Sequence, residues 1–294
     1  MKGLLQIDCE FNKDNAIQKH IISKCCEYLI KNDSNPSLTI LVNCKIEPNW
    51  KQFDHFLTGL YNAATKVAFE LNLILLDVDI ICLDFCGYDY DEQHDIYFTF
   101  TDSNLQKENV IRFEKPKLMN QTIEVFDTKD VEEYDNVALG GTFDYLHTGH
   151  KILLTMAIWI CKKRLICGVT NFSSDRLLKK KYVEYMQSID VRLEQVKKFL
   201  SKVKRHINLH VVPITDDFGP TKTDTDIQAL VGSLETAKGC EIVNKVRNEL
   251  GMNILDIYLV DCVSHDSIVN SNDFQGKLSS SEIREYVHSQ HQKS

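Results

Sequence analysis

The stretch from Gly140 to Lys151, GGTFDYLHTGHK, joins two apolar segments through small and polar residues. The segment before it, NVAL, has the composition of a strand, and the segment after it, ILLTMAIWI, that of a helix. Glycines at the end of a strand let the backbone approach a ligand closely. The unpaired N–H groups at the start of a helix carry partial positive charge, which suits phosphate. The stretch therefore predicts a phosphate-binding turn between a strand and a helix.

Two histidines strengthen this interpretation of the turn. His147 and His150 lie three positions apart at the predicted helix start, so both rings are expected on one helical face. Gly149 between them has no side chain that would block an anion. The alternative is a plain strand–turn–helix connection, in which Asp144 caps the helix and the histidines have no role. Two imidazoles on one face favour the anion site.

The pattern around the turn predicts an α/β fold. Strand patterns are found in NVALGGTF, RLICGVT, INLHVVPI, QALVGS and LDIYLVDCV. Helix patterns lie between and after them, in GHKILLTMAIWICKK, VRLEQVKKFLSKVK, LETAKGCEIVNKVRNEL and SSSEIREYVH. Strands that alternate with helices indicate a doubly wound parallel sheet with helices on both faces. Ligands of such sheets bind at the carboxyl ends of the strands.

The chain has 294 residues, a length typical of about two domains of ~150 residues. A polar stretch over 101–135 is the expected boundary region, and we divide the chain into domains 1–130 and 131–294. The first part also mixes helix and strand patterns, such as AIQKHIISKCCEYLI and LTILVNC, and predicts a smaller N-terminal α/β domain. It contains no cluster of residues that suggests catalysis.

Composition excludes several classes of protein. The net charge of −8 argues against general nucleic-acid binding and means that an anionic ligand needs a local positive site. Ten cysteines lie mostly in apolar runs and form no C-x-x-C pair, which indicates reduced thiols rather than a zinc site. No apolar run approaches the ~20 residues of a membrane-spanning helix. We predict a cytoplasmic protein, with the nucleus as a second compartment and no metal held by the protein.

Two further clusters carry polar groups. The segment KLSSSEIR runs from Lys277 to Arg284, and within it Ser279 and Glu282 fit a capping box. A plain helix cap is one reading, but three serines between two cations offer more donors than a cap requires and suit a nucleotide triphosphate tail. The segment LLKKK ends in three lysines, for which a solvated charge run is the alternative reading.

The stretch GTFDYLHTGH matches the G-T-F-D-x-x-H-x-G-H signature of the nucleotidyltransferase superfamily, and KLSSSEIR is similar to the serine-rich motif of that superfamily. Over Val137 to Arg284 the chain resembles the phosphopantetheine adenylyltransferases of the eukaryotic type. PITDDFGPT and the S-x-E-T-x-x-G pattern from Ser233 to Gly239 carry this closer resemblance.

The resemblance implies a Rossmann-like nucleotidyltransferase fold and the transfer of AMP from ATP to 4′-phosphopantetheine, which gives dephospho-coenzyme A and pyrophosphate. It implies Mg²⁺ bound with ATP, and coenzyme A pathway enzymes as further partners. The implied catalytic residues are Thr142, His150 and a lysine of the LLKKK segment, with Lys179 and Lys181 both left open. The implied ATP-binding residues are Gly140, Gly141, Thr142, Phe143, His147, Gly149, His150, Lys277, Ser279, Ser280, Ser281 and Arg284. Further candidate contacts with substrate or nucleotide are Ser233, Thr236, Lys238 and Arg247.

Two alternatives stay open at this point. One is another nucleotidyltransferase, such as an enzyme that uses CTP. The other is a non-catalytic scaffold of the same fold, although the intact threonine, histidine and serine motifs argue against it.

Overall fold

The structure is a computed structural model that describes residues 1–45, 49–87, 92–123, 131–171, 180–261 and 279–292. These residues divide into two compact units, one up to residue 123 and the other from residue 131. Among them, no helix is long and apolar enough to cross a membrane.

The N-terminal unit is a parallel sheet with helices. Its elements are β1 (Lys2–Asp8), α1 (Ala16–Asn32), β2 (Ser37–Asn43), α2 (Trp50–Glu70), β3 (Asp77–Cys82), α3 (Leu83–Cys86), β4 (Ile96–Phe100) and β5 (Val110–Phe113). The five strands are parallel in the order β3-β2-β1-β4-β5. Strand β2 is almost wholly buried, as expected for a strand near the middle of a parallel sheet.

Two details of this unit differ from the sequence expectation. The short apolar run LLQI, for which the sequence analysis predicted no strand, forms part of the central strand β1. The run ILLDVDIICLDF has a strand pattern, but its last residues, LDF, form the short helix α3, which ends at Gly87 with a φ of 78°. Glycine adopts this left-handed conformation at little cost, which is why the helix ends there.

The second unit has the predicted alternation of strands and helices. Its elements are β6 (Tyr134–Gly141), α4 (Thr148–Trp159), β7 (Cys161–Thr170), α5 (Ile189–Val203), β8 (Asn208–Ile214), β9 (Ala229–Ser233), α6 (Ala237–Glu249), β10 (Asp256–Val260) and α7 (Ser280–His291). All five strands are parallel in the order β10-β9-β6-β7-β8. The predicted doubly wound α/β fold is therefore confirmed.

The strand order sets the position of the ligand site. From β6 the chain runs outward to β7 and β8, and then returns to the other side of β6 for β9 and β10. Ligands of such sheets bind outside the carboxyl ends of the strands, where the order reverses. Strand β6 stands at this switch point, and its carboxyl end is the glycine pair of the opening motif.

Helix α4 anchors the motif to the core. It is buried along most of its length, with Ile152, Leu154 and Met156 almost inaccessible to solvent, so its start is held firmly behind the turn. The helix ends at Trp159, earlier than expected, because Cys161 already begins β7. All nine described cysteines are reduced and buried, as predicted; Cys262 lies outside the described residues.

Candidate active site at the carboxyl end of β6

The turn after β6 is tight and closed by an aromatic ring. Phe143 and Tyr145 both have left-handed backbone conformations, with φ of 51° and 53°. The Phe143 ring is fully buried and folds back over Gly141, where an added Cβ would lie 3.1 Å from it. A side chain at position 141 would therefore press against this ring, which glycine avoids, and α4 begins after the turn at Thr148.

The two histidines are stacked at the start of α4. The ring centroids of His147 and His150 are 3.8 Å apart with an interplanar angle of 27°, so the rings share one face as expected. His150 Nδ1 is buried and has no hydrogen-bond partner among the described residues. Burial lowers the pKa of His150 well below its usual range, and the neighbouring His147 and Lys180 lower it further. The imidazole of His150 is therefore neutral near pH 7.

The lysine that reaches this turn is Lys180. Its Nζ donates a hydrogen bond to Thr142 Oγ1 at 3.0 Å. Of the two lysines favoured from the sequence, Lys179 lies outside the described residues, and the Lys181 backbone carbonyl accepts a hydrogen bond from Arg284. Burial lowers the pKa of Lys180, and the Arg284 charge adds to this effect. A run of three lysines carries no signal that singles out the one facing the site.

A buried arginine that the sequence analysis missed holds the strand ends together. Arg192 Nη1 donates to the carbonyl of Thr142 at 2.8 Å and to that of Thr170 at 2.7 Å. It thereby joins the carboxyl ends of β6 and β7. The signal was present, because Arg192 lies on the apolar stripe of α5, with Val196 and Phe199 following at helical spacing.

Arg284 has a structural role in the fold, whereas the resemblance implied that it contacts ATP. Its side chain is fully buried and pairs with the equally buried Asp144, with Nη1 to Oδ2 at 2.6 Å. Its Nε donates to the Lys181 carbonyl at 3.0 Å, and Nη2 donates to Ser281 Oγ at 3.1 Å. Arg284 therefore ties the glycine turn, the lysine segment and α7 together, and we no longer expect it to contact a nucleotide.

The serines at the start of α7 lie beside the same turn. Ser279 forms the capping box with Glu282: its hydroxyl accepts from the Glu282 N–H at 3.3 Å, and its own N–H donates to the carboxylate at 2.7 Å. Ser280 Oγ donates to the Asp144 carbonyl at 3.1 Å, which brings the start of α7 to the turn. The contact of Ser279, Ser280 and Ser281 with ATP stays a prediction, and Lys277 lies outside the described residues.

Three of the further candidates lie just after β9, the neighbour of β6. Ser233 and Thr236 form a local capping arrangement, in which the Ser233 N–H donates to Thr236 Oγ1 at 3.0 Å. Lys238 is exposed on the first turn of α6. All three lie at the carboxyl edge of the sheet, so their role as contacts stays a prediction.

Arg247, the fourth candidate, is turned away from this edge. Its side chain is fully buried and donates to the carbonyls of Thr221 at 2.5 Å, Asp224 at 3.0 Å and Asn253 at 2.7 Å. It fixes the segment after β8 against α6. The expectation that Arg247 contacts substrate is replaced by this structural role.

The residues that the structure describes include no group of three or more histidine, cysteine, aspartate or glutamate side chains placed to hold a metal ion. The carboxylate nearest to the glycine turn, Asp144, is already paired with Arg284.

The switch-point turn, the stacked histidines at a helix start and the adjacent lysine define a nucleotide-binding α/β domain of the nucleotidyltransferase type. The chain belongs to the cytidylyltransferase-like family, whose model matches residues 138–286.

Several curated proteins are similar to this chain. A phosphopantetheine adenylyltransferase of Saccharomyces cerevisiae is 40% identical over 167 residues, which are 56% of this chain and 53% of that protein. An uncharacterized protein of Schizosaccharomyces pombe is 45% identical over 150 residues, 50% of this chain and 46% of that protein. The chain thus spans about half the length of these two relatives.

Shorter archaeal proteins are matched over most of their length. A phosphopantetheine adenylyltransferase of Pyrococcus furiosus is 38% identical over 133 residues, 45% of this chain and 80% of that protein. A solved structure of a protein of unknown function from Archaeoglobus fulgidus is 33% identical and covers 46% of this chain and 95% of its own, with a TM-score of 0.39.

Proposed function

We propose that this chain is a pantetheine-phosphate adenylyltransferase, which transfers AMP from ATP to 4′-phosphopantetheine in coenzyme A biosynthesis. The observation that carries the proposal is the arrangement around Thr142. Lys180 reaches its hydroxyl at 3.0 Å, and the stacked His147 and His150 stand at the start of the next helix. The yeast and archaeal relatives named phosphopantetheine adenylyltransferase support the choice of reaction.

In the proposed reaction, a phosphate oxygen of 4′-phosphopantetheine attacks the α-phosphorus of ATP. The bond from the α-phosphorus to the oxygen that bridges it to the β-phosphorus breaks, and pyrophosphate leaves. The attacking phosphate is largely ionised at pH 7, since its second pKa is ~6, so no general base is needed. The protein then contributes positioning and stabilisation of the charge that develops on the transferred group.

Each side chain of the turn has a role in this proposal. Thr142 and Lys180 hold the transferred phosphoryl group from one side, and Lys180 supplies positive charge. His150 donates a hydrogen bond from the other side, which a neutral imidazole can do through its single N–H. His147 contacts the nucleotide from the same face. The N–H groups at the start of α4 add their partial positive charge.

A groove beside the carboxyl half of β8 is our candidate binding site for the pantetheine arm of the acceptor, 4′-phosphopantetheine. It has a volume of about 510 Å³, and its lining includes Ile214, Thr215 and Thr223. It adjoins the glycine turn through Ile214, whose side chain lies 4.0 Å from the Cβ position of Gly140. Apolar residues such as Ile214 line it together with the hydroxyl groups of Thr215 and Thr223, which suit the amide groups of a pantetheine arm.

Magnesium enters this proposal as part of the substrate. Mg²⁺ keeps several waters and binds nucleotide phosphates with few protein ligands, so MgATP needs no carboxylate cluster in the protein. We further propose that adenylyl transfer resides in domain 131–294 and that the protein acts in the cytoplasm. Other coenzyme A pathway enzymes are its proposed partners.

The test is a pyrophosphate-release assay on the purified chain with Mg²⁺, 4′-phosphopantetheine and either ATP or CTP. We expect pyrophosphate with ATP and much less with CTP. Pantetheine without its phosphate is the matched control, because it lacks the attacking group. Faster release with CTP would replace the proposal by a cytidylyltransferase, and no release with either nucleotide would leave the scaffold alternative.

A further inference from the structure

Helix α7 makes an aromatic contact with the chain just after Lys180. The ring of His288 stacks on Tyr182, with centroids 4.9 Å apart and an interplanar angle of 30°. It also meets Tyr185 edge-on at 5.3 Å, and His288 Nδ1 lies 3.1 Å from the Tyr185 hydroxyl. We call the three residues Tyr182, Tyr185 and His288 the aromatic clamp.

Hydrogen bonds also hold the backbone of the segment that carries Tyr182 and Tyr185. The Tyr185 carbonyl accepts a hydrogen bond from the Tyr145 hydroxyl at 2.7 Å, and Tyr145 belongs to the turn that follows β6. Arg284, one helical turn before His288 on α7, donates to the Lys181 carbonyl. The residues directly after Lys180 are therefore fastened to α7 and to the glycine turn.

The backbone of Tyr182 has an unfavourable conformation, which these contacts hold in place. Its φ is 54°, in the left-handed region that non-glycine residues adopt only when the surrounding structure holds them there. The stack on His288 and the neighbouring contact of Arg284 with Lys181 supply that restraint. Loss of the stack removes one of these restraints, which allows Tyr182 to relax toward a more favourable backbone conformation.

We propose that His288 is a positioning residue that keeps Lys180 at Thr142 by holding Tyr182 and Tyr185 against α7. The inference rests on the proposed function for its catalytic consequence. Lys180 reaches the turn through a long side chain, and its direction depends on the backbone that follows. A displacement of about 1 Å in a reacting group can cost roughly 10²-fold in rate, so the clamp acts on the reaction through the position of Lys180.

The kinetic test compares variants of the full-length chain. We expect His288→Ala to lower kcat by about 10–100-fold and to change the KM for ATP by less than about threefold, because Lys180 acts mainly on the transferred group. His288→Phe keeps the ring stack and should recover most of the loss. Gln290→Ala, at an exposed position of the same helix, is the matched control and should behave as the wild type.

Hydrogen exchange on the same proteins without substrate tests the clamp itself. Residues 180–187 should exchange faster in His288→Ala than in Gln290→Ala, whereas α4 should be unchanged. Unchanged exchange of 180–187 would overturn the clamp, and faster exchange with wild-type kcat would overturn the positioning role. This readout needs no turnover, so it separates failure of the clamp from failure of the proposed function. If His288→Ala does not fold, Tyr182→Leu removes the same ring stack from its other side and carries the same two measurements.

Discussion

Replacing Arg284 by methionine should lower the free energy of unfolding of the second unit. An effect on ATP binding without such a loss of stability is not expected. The substitution leaves the Asp144 carboxylate fully buried without its cationic partner at 2.6 Å. Removing one partner of a buried ion pair typically costs about 3–5 kcal/mol. The hydrogen bonds to the Lys181 carbonyl and to Ser281 are lost as well. The unfolding equilibrium should therefore shift by at least about 100-fold.

The assay is urea unfolding followed by tryptophan fluorescence. The chain has two tryptophans, Trp50 in the N-terminal unit and Trp159 at the end of α4, so a Trp50→Phe background reports on the second unit alone. The double variant Asp144→Asn with Arg284→Met should lose less stability than the sum of the single changes, because no unpaired charge stays buried. Wild-type stability of Arg284→Met combined with weakened ATP binding would refute this reasoning, and would restore Arg284 as a phosphate ligand.

Three further predictions concern the turn itself. His150→Ala should lower kcat by about 10²–10³-fold and ATP affinity much less, while His150→Asn should recover part of the loss in kcat. Single-turnover experiments measure the rates and equilibrium binding measures the ATP affinity. Equal losses of kcat in the two variants would exclude a donor role for His150. Lys180→Ala should lower kcat at least about tenfold more than Lys181→Ala, since Lys180 is the one of these two lysines whose side chain bonds Thr142 in the described part of the chain. The reverse order in the same assay would reassign the lysine. Burial holds the pKa of His150 in the folded protein below its usual value of 6.5. Below that pH the unfolded chain binds a proton that the buried ring does not, so stability should fall as the pH drops below 6.5. Thermal melts of the wild type and His150→Gln between about pH 5 and 8 test this, and parallel curves would contradict it.

Much of the second unit could be predicted from the sequence because its signals are local. Strand and helix patterns alternate, and glycines mark the turn after β6. The placement of His147 and His150 on one face was also predictable, since the two residues lie three positions apart; that their rings stack was not. Strand β1 was missed because its short apolar run is ambiguous without the strands that flank it.

The residues placed wrongly from the sequence depend on contacts between distant segments. Arg284 and Arg247 lie near the motifs of the resemblance and carry the charge that a phosphate attracts, but both are fully buried and bonded to the protein. The contact of Lys180 with Thr142 was not visible in the sequence, because the segment that follows Lys180 is bonded to Arg284 of α7, which lies far along the chain. Arg192 was visible as a cation on an apolar stripe, a sign of a satisfied buried charge.

In the proposed reaction the adenylyl group of ATP, which contains the α-phosphorus, passes to the phosphate of 4′-phosphopantetheine. The most direct measurement uses ATP labelled at the α-phosphorus, with the products separated chromatographically after incubation with the purified chain and Mg²⁺. We expect the label in dephospho-coenzyme A, unlabelled pyrophosphate, and equal amounts of the two products. Label that stays in ATP, or that appears as free AMP with no labelled dephospho-coenzyme A, would contradict it.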